Sequence, residues 1–188
     1  MMALWIAAGI AVILLLWIIA SYNRLVSLKN QTVNGWKQID IQLKRRHDLI
    51  PNLVETVKGA MKFEQTTLTQ VIEARNRAIA AQGVTDTATQ ENALSGALRQ
   101  LFALVENYPN LKANENVGRL QEELSTTENK ISFARQFYND IATQFNIAQQ
   151  SFPTNILASA LGFTAADLFE ITDAAERAVP KVDLSITK

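Results

Sequence analysis

The chain has 188 residues, with 18 Lys and Arg against 18 Asp and Glu, one His and no Cys. That length favours one domain with one core, or an extended bundle with a thin one, and the even charge balance argues against a nucleic-acid partner, which wants a basic face. Without Cys there are no disulfides, thiolate nucleophiles or Cys-bearing zinc sites, and one His builds no His-pair metal site, so no cofactor, metal ligand set or catalytic residue is expected.

Residues 1–20 carry no charged side chain. Twenty helical residues span about 30 Å, the thickness of a bilayer core. Trp5 and Trp17 stand near the two ends and Tyr22 just beyond, as an interfacial aromatic belt requires. A cleaved signal peptide would want a basic start, a shorter apolar run and a small-x-small exit, and Ile18-Ile19-Ala20 is a poor one. The segment therefore reads as an uncleaved anchor. Arg24, Lys29 and Lys37 follow it, so the positive-inside rule places residues 21–188 in the cytoplasm, with the lipid bilayer engaged through residues 1–20.

The rest reads as helix, with few prolines and no sustained two-residue alternation. The first helix is expected to run from the anchor to about residue 82. Trp36, Leu43, Ile50, Val54, Val57, Met61, Leu68 and Val71 share one seam register on it, into which Asp40, His47, Glu64 and Arg75 also fall. Pro51 should kink it near residues 47–51. A second helix carries Leu94, Leu98, Leu101, Val105 and Tyr108, with Thr85-Asp86-Thr87 after Gly83 marking its start. Tyr108-Pro109-Asn110 ends it and offers Asn110 as the next cap, a short connection that predicts antiparallel packing with the helix that follows.

That third helix has the clearest pattern. Leu120, Leu124, Thr127, Ile131, Ala134, Tyr138, Ile141, Phe145 and Ala148 alternate steps of four and three, a 3.5-residue seam that argues coiled-coil-like packing. Phe133 and Phe137 lie off the seam and widen its apolar face beyond one contact. Ser125-Thr126-Thr127-Glu128 resembles a capping box but sits inside the seam, so it is read as mid-helix. A short unit, Thr154 to Leu161, closes at Gly162, and the tail from Thr164 is expected to hold one brief helical stretch before Pro180. The chain thus divides into an anchor, 1–20, a helical bundle, 21–163, and a tail, 164–188.

Charge is densest at Lys44-Arg45-Arg46-His47-Asp48, just before Pro51. This is a candidate collar for a partner or for assembly; its plainer reading is a solvated face with inter-helix ion pairs. On an upright helix Lys44 stands about 36 Å from the bilayer, beyond a ~10 Å Debye length, so lipid attraction does not explain it. Glu106, Glu122, Glu123 and Glu128 lack the Glu-x-x-His partners of a di-metal bundle.

Several segments together carry a resemblance: Tyr22-Asn23-Arg24-Leu25-Val26, Gly35-Trp36, Gln42 through Val54, Val71 through Asn76, Tyr108 through Ala113, Leu120 through Leu124, Thr127 through Ile131, Ala134-Arg135, Tyr138-Asn139 and Phe152-Pro153. In this order they resemble the bacterial LemA family. The resemblance implies a single-pass membrane protein with a long antiparallel helical bundle, and implies no reaction. One departure is Lys58-Gly59-Ala60-Met61-Lys62-Phe63-Glu64, where relatives often read Lys-Gly-Tyr followed by His-Glu. Losing that His weakens any shared histidine site.

The expectation is an all-α, single-pass protein of the bacterial inner membrane: a non-enzymatic scaffold that self-associates and recruits unidentified membrane or stress-response proteins. One alternative is a sensor or binding module relaying a ligand or pH signal through the Pro51 kink. Another is a hydrolase using scattered carboxylates with Arg45 or Arg46, for which no local spacing speaks.

Overall fold

The computed structural model describes residues 1–59 and 65–170, and every regular element among them is a helix. In chain order these are α1 (Met2–Lys58), α2 (Gln65–Ala80), α3 (Gly83–Val105), α4 (Pro109–Lys112), α5 (Glu115–Gln150) and α6 (Thr154–Ala160).

At about 1.5 Å per residue, the 57 residues of α1 extend roughly 85 Å. Its first 20 residues bury nothing. From Leu25 onward a stripe at Leu28, Thr32, Gly35, Ile39, Leu43, Arg46 and Ile50 turns inward at steps of three and four. α5 lies antiparallel along that stripe. A Cβ on Gly35 would stand 3.4 Å from Tyr138 Cα, the close approach that a missing side chain allows. Of the nine seam positions foreseen on α5, eight are buried and Leu120 is half-buried. Ser125–Glu128 lies within α5, as read.

The single helix to residue 82 is not formed. α1 ends at Lys58, and α2 runs back beside it, bringing Arg75 to the backbone of His47. On one continuous helix these residues would stand about 42 Å apart. A seam has no direction: Leu68 and Val71 continue the register of α1, yet bury equally well on a returning helix. The return also lets them pack with Ile50, Leu53, Val57, Leu94 and Leu101 in the core farthest from the anchor. Met61 and Glu64 lie outside the described residues. Asp40, expected on the seam, is exposed.

α3 packs chiefly on α2. It faces α5 across a groove instead of interlocking with it as the short connection suggested. Its start is Gly83, at φ +75°, with Asp86 Oδ2 accepting from the Gln82 N–H at 3.0 Å. The cap of α5 is Asn114, whose side chain accepts from Asn116 N–H; Asn110 lies inside the intervening turn α4.

Beyond α6, residues 163–170 form no helix. They lie as an extended strap along α1 and α5, with Phe169 buried beside Trp36 and Tyr138. The brief helix expected from Thr164 is therefore absent through Glu170, and Pro180 lies outside the described residues. The strap is held by side chains of α5. Asn146 donates to Ala166 O and accepts from Ala166 N–H, and Asn139 does the same with Phe169. Seven helical residues advance about 10.5 Å and three extended residues about 10 Å, so a heptad of α5 meets every third residue of the strap.

Candidate functional site

The one dense polar cluster among the described buried residues lies where α1, α3 and α5 meet. α1 supplies Arg46 and His47, α3 supplies Glu91 and Ser95, and α5 supplies Glu128. Arg46 Nη1 stands 3.2 Å from Glu91 Oε2 and 3.1 Å from Glu128 Oε2, while Nη2 donates to Ser95 Oγ at 2.7 Å. His47 Nε2 lies 2.6 Å from the other Glu91 oxygen. Glu91 is only 2% exposed and Arg46 4%, so both ions have left water and depend on one another.

Pro51 adds a second device. It has no N–H, so the His47 carbonyl four residues earlier loses its helical donor. Arg75 Nε on α2 donates to that carbonyl at 2.8 Å. α1 stays helical through Pro51 because a neighbouring helix supplies the missing bond.

The predicted collar therefore divides. Arg46 and His47 turn inward, while Lys44, Arg45, Asp48 and Pro51 remain on the surface, and no continuous charged ring faces solvent. The inter-helix ion pairs of the plainer reading are what the inward pair makes. Sequence reasoning missed Glu91 and Ser95. A signal for Glu91 existed: stepping back from Leu94 by three and four reaches Glu91 and Thr87, and both are buried.

Two clefts flank the cluster. One, of about 480 Å³, has His47 and Glu91 among its walls, with Trp36, Lys44, Asp48 and Thr87. The other, of about 390 Å³, is the groove between α3 and α5, lined by Arg46, Ser95, Arg99, Phe102 and Glu128. Among the described residues no group of three or more His, Asp or Glu side chains gathers as a metal site. Among the described residues the side-chain partner of the His47 imidazole is the Glu91 carboxylate rather than a hydroxyl. Both Glu91 carboxylate oxygens and both terminal nitrogens of Arg46 are engaged within the cluster, which suits a structural lock.

Tyr138 has a displaced titration. Burial, then the nearby Asp167 carboxylate, raises its pKa above the usual value. Its hydroxyl donates to Asp167 O at 2.7 Å, and Trp36 meets its ring edge-on at 5.7 Å.

The remaining predicted residues divide between open surface and interior. Trp5 and Tyr22 are exposed and Trp17 is half-buried on the bare end of α1. Leu124, Ile131, Ile141 and Phe145 join Tyr138 in the interior. Phe133 and Phe137, one turn apart on the outer side of α5, are 73% and 45% exposed.

A sequence profile of the LemA family matches residues 35–184. Protein LemA of Metamycoplasma hominis is 27% identical over 155 residues, covering 80% of this chain and 69% of that protein. Magnetosome protein MamQ 2 of Paramagnetospirillum magneticum is 25% identical over 175 residues, covering 79% of this chain and 64% of the relative. Magnetosome protein MamQ of Magnetospirillum gryphiswaldense is 22% identical over 174 residues with the same coverage. The chain thus spans somewhat less than two thirds of the length of the MamQ proteins.

Proposed function

The chain belongs to the LemA family and is a membrane-associated helical protein, and from that premise we propose that it is a non-enzymatic scaffold that self-associates on the bacterial inner membrane. One observation carries the reading. α1 passes from the bare apolar segment into the packed bundle without a break, so with residues 1–20 across a bilayer the helix itself would carry the bundle close to the membrane on a short, stiff connection. Copies held that way share one plane and one orientation, which lowers the entropic cost of meeting through a weak face.

Phe133 and Phe137 supply such a face, since exposed aromatic rings on a helix seek a neighbour. The bundle lies on the cytoplasmic side, following Arg24, Lys29 and Lys37 after the span. Recruitment of other membrane proteins would use the outer surface that self-association leaves free. The test is the mass and electron-microscopic shape of the full-length protein after mild extraction. A closed assembly of defined size supports the reading; strict monomers at micromolar concentration overturn it.

A second reading, a ligand- or pH-responsive module, rests on His47 lining an open cleft beside Lys44 and Asp48. It requires that His47→Ala change a downstream response while assembly persists.

A further inference from the structure

The end of the bundle nearest the anchor has an unusual composition. From Ile141 to Ala166 there is no Asp, Glu, Lys, Arg or His, although charged residues make up 19% of the chain. Within that run Ile147, Phe152, Ile156 and Leu161 are exposed, Phe152 at 81% and Ile156 at 64%. A helix end washed by water on all sides has no use for such a surface.

The register of α1 against α5 shows where this end sits. Gly35 meets Tyr138 and Arg46 meets Glu128, so each residue gained along α1 is matched by one step back along α5. Carried toward the anchor, the same pairing sets Phe152 level with about residue 21. Packing agrees: Leu25 and Leu28 share a core with Phe145, Ala148 and Ala158. Residue 21 is where the uncharged anchor ends and Tyr22 and Arg24 begin, the level of the lipid headgroups.

We propose that the α5–α6 corner, led by Phe152 and Ile156, dips into the interfacial layer of the bilayer as a second membrane contact beside the anchor. The occupant is lipid: the patch adjoins the anchor, carries no charge that entry would strip of water, and presents an aromatic ring at its tip. With two points of attachment the bundle cannot swivel freely about the anchor. The inference rests on residues 1–20 crossing the bilayer.

Because the chain has no Cys, single nitroxide labels can be placed without background. The full-length protein is reconstituted into phosphatidylcholine–phosphatidylglycerol vesicles with labels at Phe152→Cys, Ile156→Cys, Ile10→Cys in the anchor and Gln136→Cys high on the exposed side of α5. Collision with oxygen and with a water-soluble nickel chelate is then read by power saturation. Labels at 152 and 156 are expected to lose nickel collisions several-fold relative to 136 while gaining oxygen collisions. Nickel access at 152 and 156 equal to that at 136, with the label at 10 immersed, overturns the corner contact and leaves the anchor standing. Loss of both oxygen and nickel collisions at 152 means protein covers the corner, and also overturns it. A nickel-accessible label at 10 removes the anchor and the corner contact together.

Discussion

Arg75 Nε donates to the carbonyl of His47 at 2.8 Å, and that carbonyl is the one Pro51 leaves without a helical donor. One proline thus creates an acceptor on α1 that a guanidinium on α2 fills, fixing the returning helix in register. The two residues should therefore be coupled. Arg75→Ala strands a partly buried carbonyl and is expected to cost about 1–3 kcal/mol. In a Pro51→Ala background residue 51 regains an N–H, and the same substitution should cost clearly less. Urea unfolding of the four proteins of this cycle measures the difference; equal losses in both backgrounds would show the bond to be incidental.

The Arg46–Glu91–His47 cluster makes a different prediction. Removing one partner of a buried ion pair leaves the other uncompensated, so Glu91→Leu is expected to destabilise by about 3–5 kcal/mol. Replacing the inward three together by Arg46→Met, His47→Leu and Glu91→Met removes the buried charges along with their desolvation. That triple variant should recover much of the loss, with Glu128 turning to water. Denaturant midpoints in mild detergent separate the two cases. If the triple variant is as unstable as Glu91→Leu, packing rather than charge pairing sets the cost.

What was legible in the sequence was what is local. The α5 seam from Leu124 to Ala148 followed from a 3.5-residue rhythm that one helix carries by itself. The return of α2 was hidden because apolar periodicity is the same for a continuing helix and a reversing one. The contact that distinguishes them joins residues 28 positions apart. Arg46 and His47 stood within a charge run whose average suggested surface, yet their inward angle on α1 was set by the same stripe as Ile39 and Ile50. The strap was least visible, since it has no periodicity of its own and is held by Asn139 and Asn146 through backbone bonds.

That strap should detach under mild perturbation. Asn146→Ala removes both bonds to Ala166, and Asn139→Ala both bonds to Phe169. At about 1 kcal/mol for each hydrogen bond, the double variant is expected to lose several kcal/mol locally. Hydrogen exchange at the Ala166 and Phe169 amides should quicken by orders of magnitude while the α5 amides near Ile131 stay protected. Uniform quickening throughout would mean that the strap and bundle unfold as one unit.

Tyr138 ties the strap to pH. Its pKa is raised in the folded protein by burial and then by Asp167, so the folded state holds this proton where the unfolded state has released it. The contribution is complete below the unfolded value of about 10 and is lost as pH rises from there through the folded value. Stability should accordingly fall with increasing pH in that alkaline window. Tyr138→Phe should flatten the slope while lowering stability at neutral pH by about 1 kcal/mol, from the lost bond to Asp167 O. Thermal melts from pH 8 to 11 test both signs, and an unchanged alkaline slope in the variant would assign it to other groups.

Self-association makes the last prediction. Phe133 and Phe137 share an outer stripe on α5, remote from the Asn139 and Asn146 side that binds the strap. Both rings are exposed among the described residues, so Phe133→Glu with Phe137→Glu should leave helix content and melting nearly unchanged, within about 0.5 kcal/mol. If these rings join neighbouring copies, a carboxylate at each must be desolvated for the contact to persist, and like charges then meet wherever the face is self-complementary. Particle mass in mild detergent is therefore expected to fall from the assembled value to that of single chains. Retention of the parent mass with both glutamates in place would move the assembly face elsewhere on the bundle, and a parent protein that is already monomeric would leave these two rings free for a different protein partner.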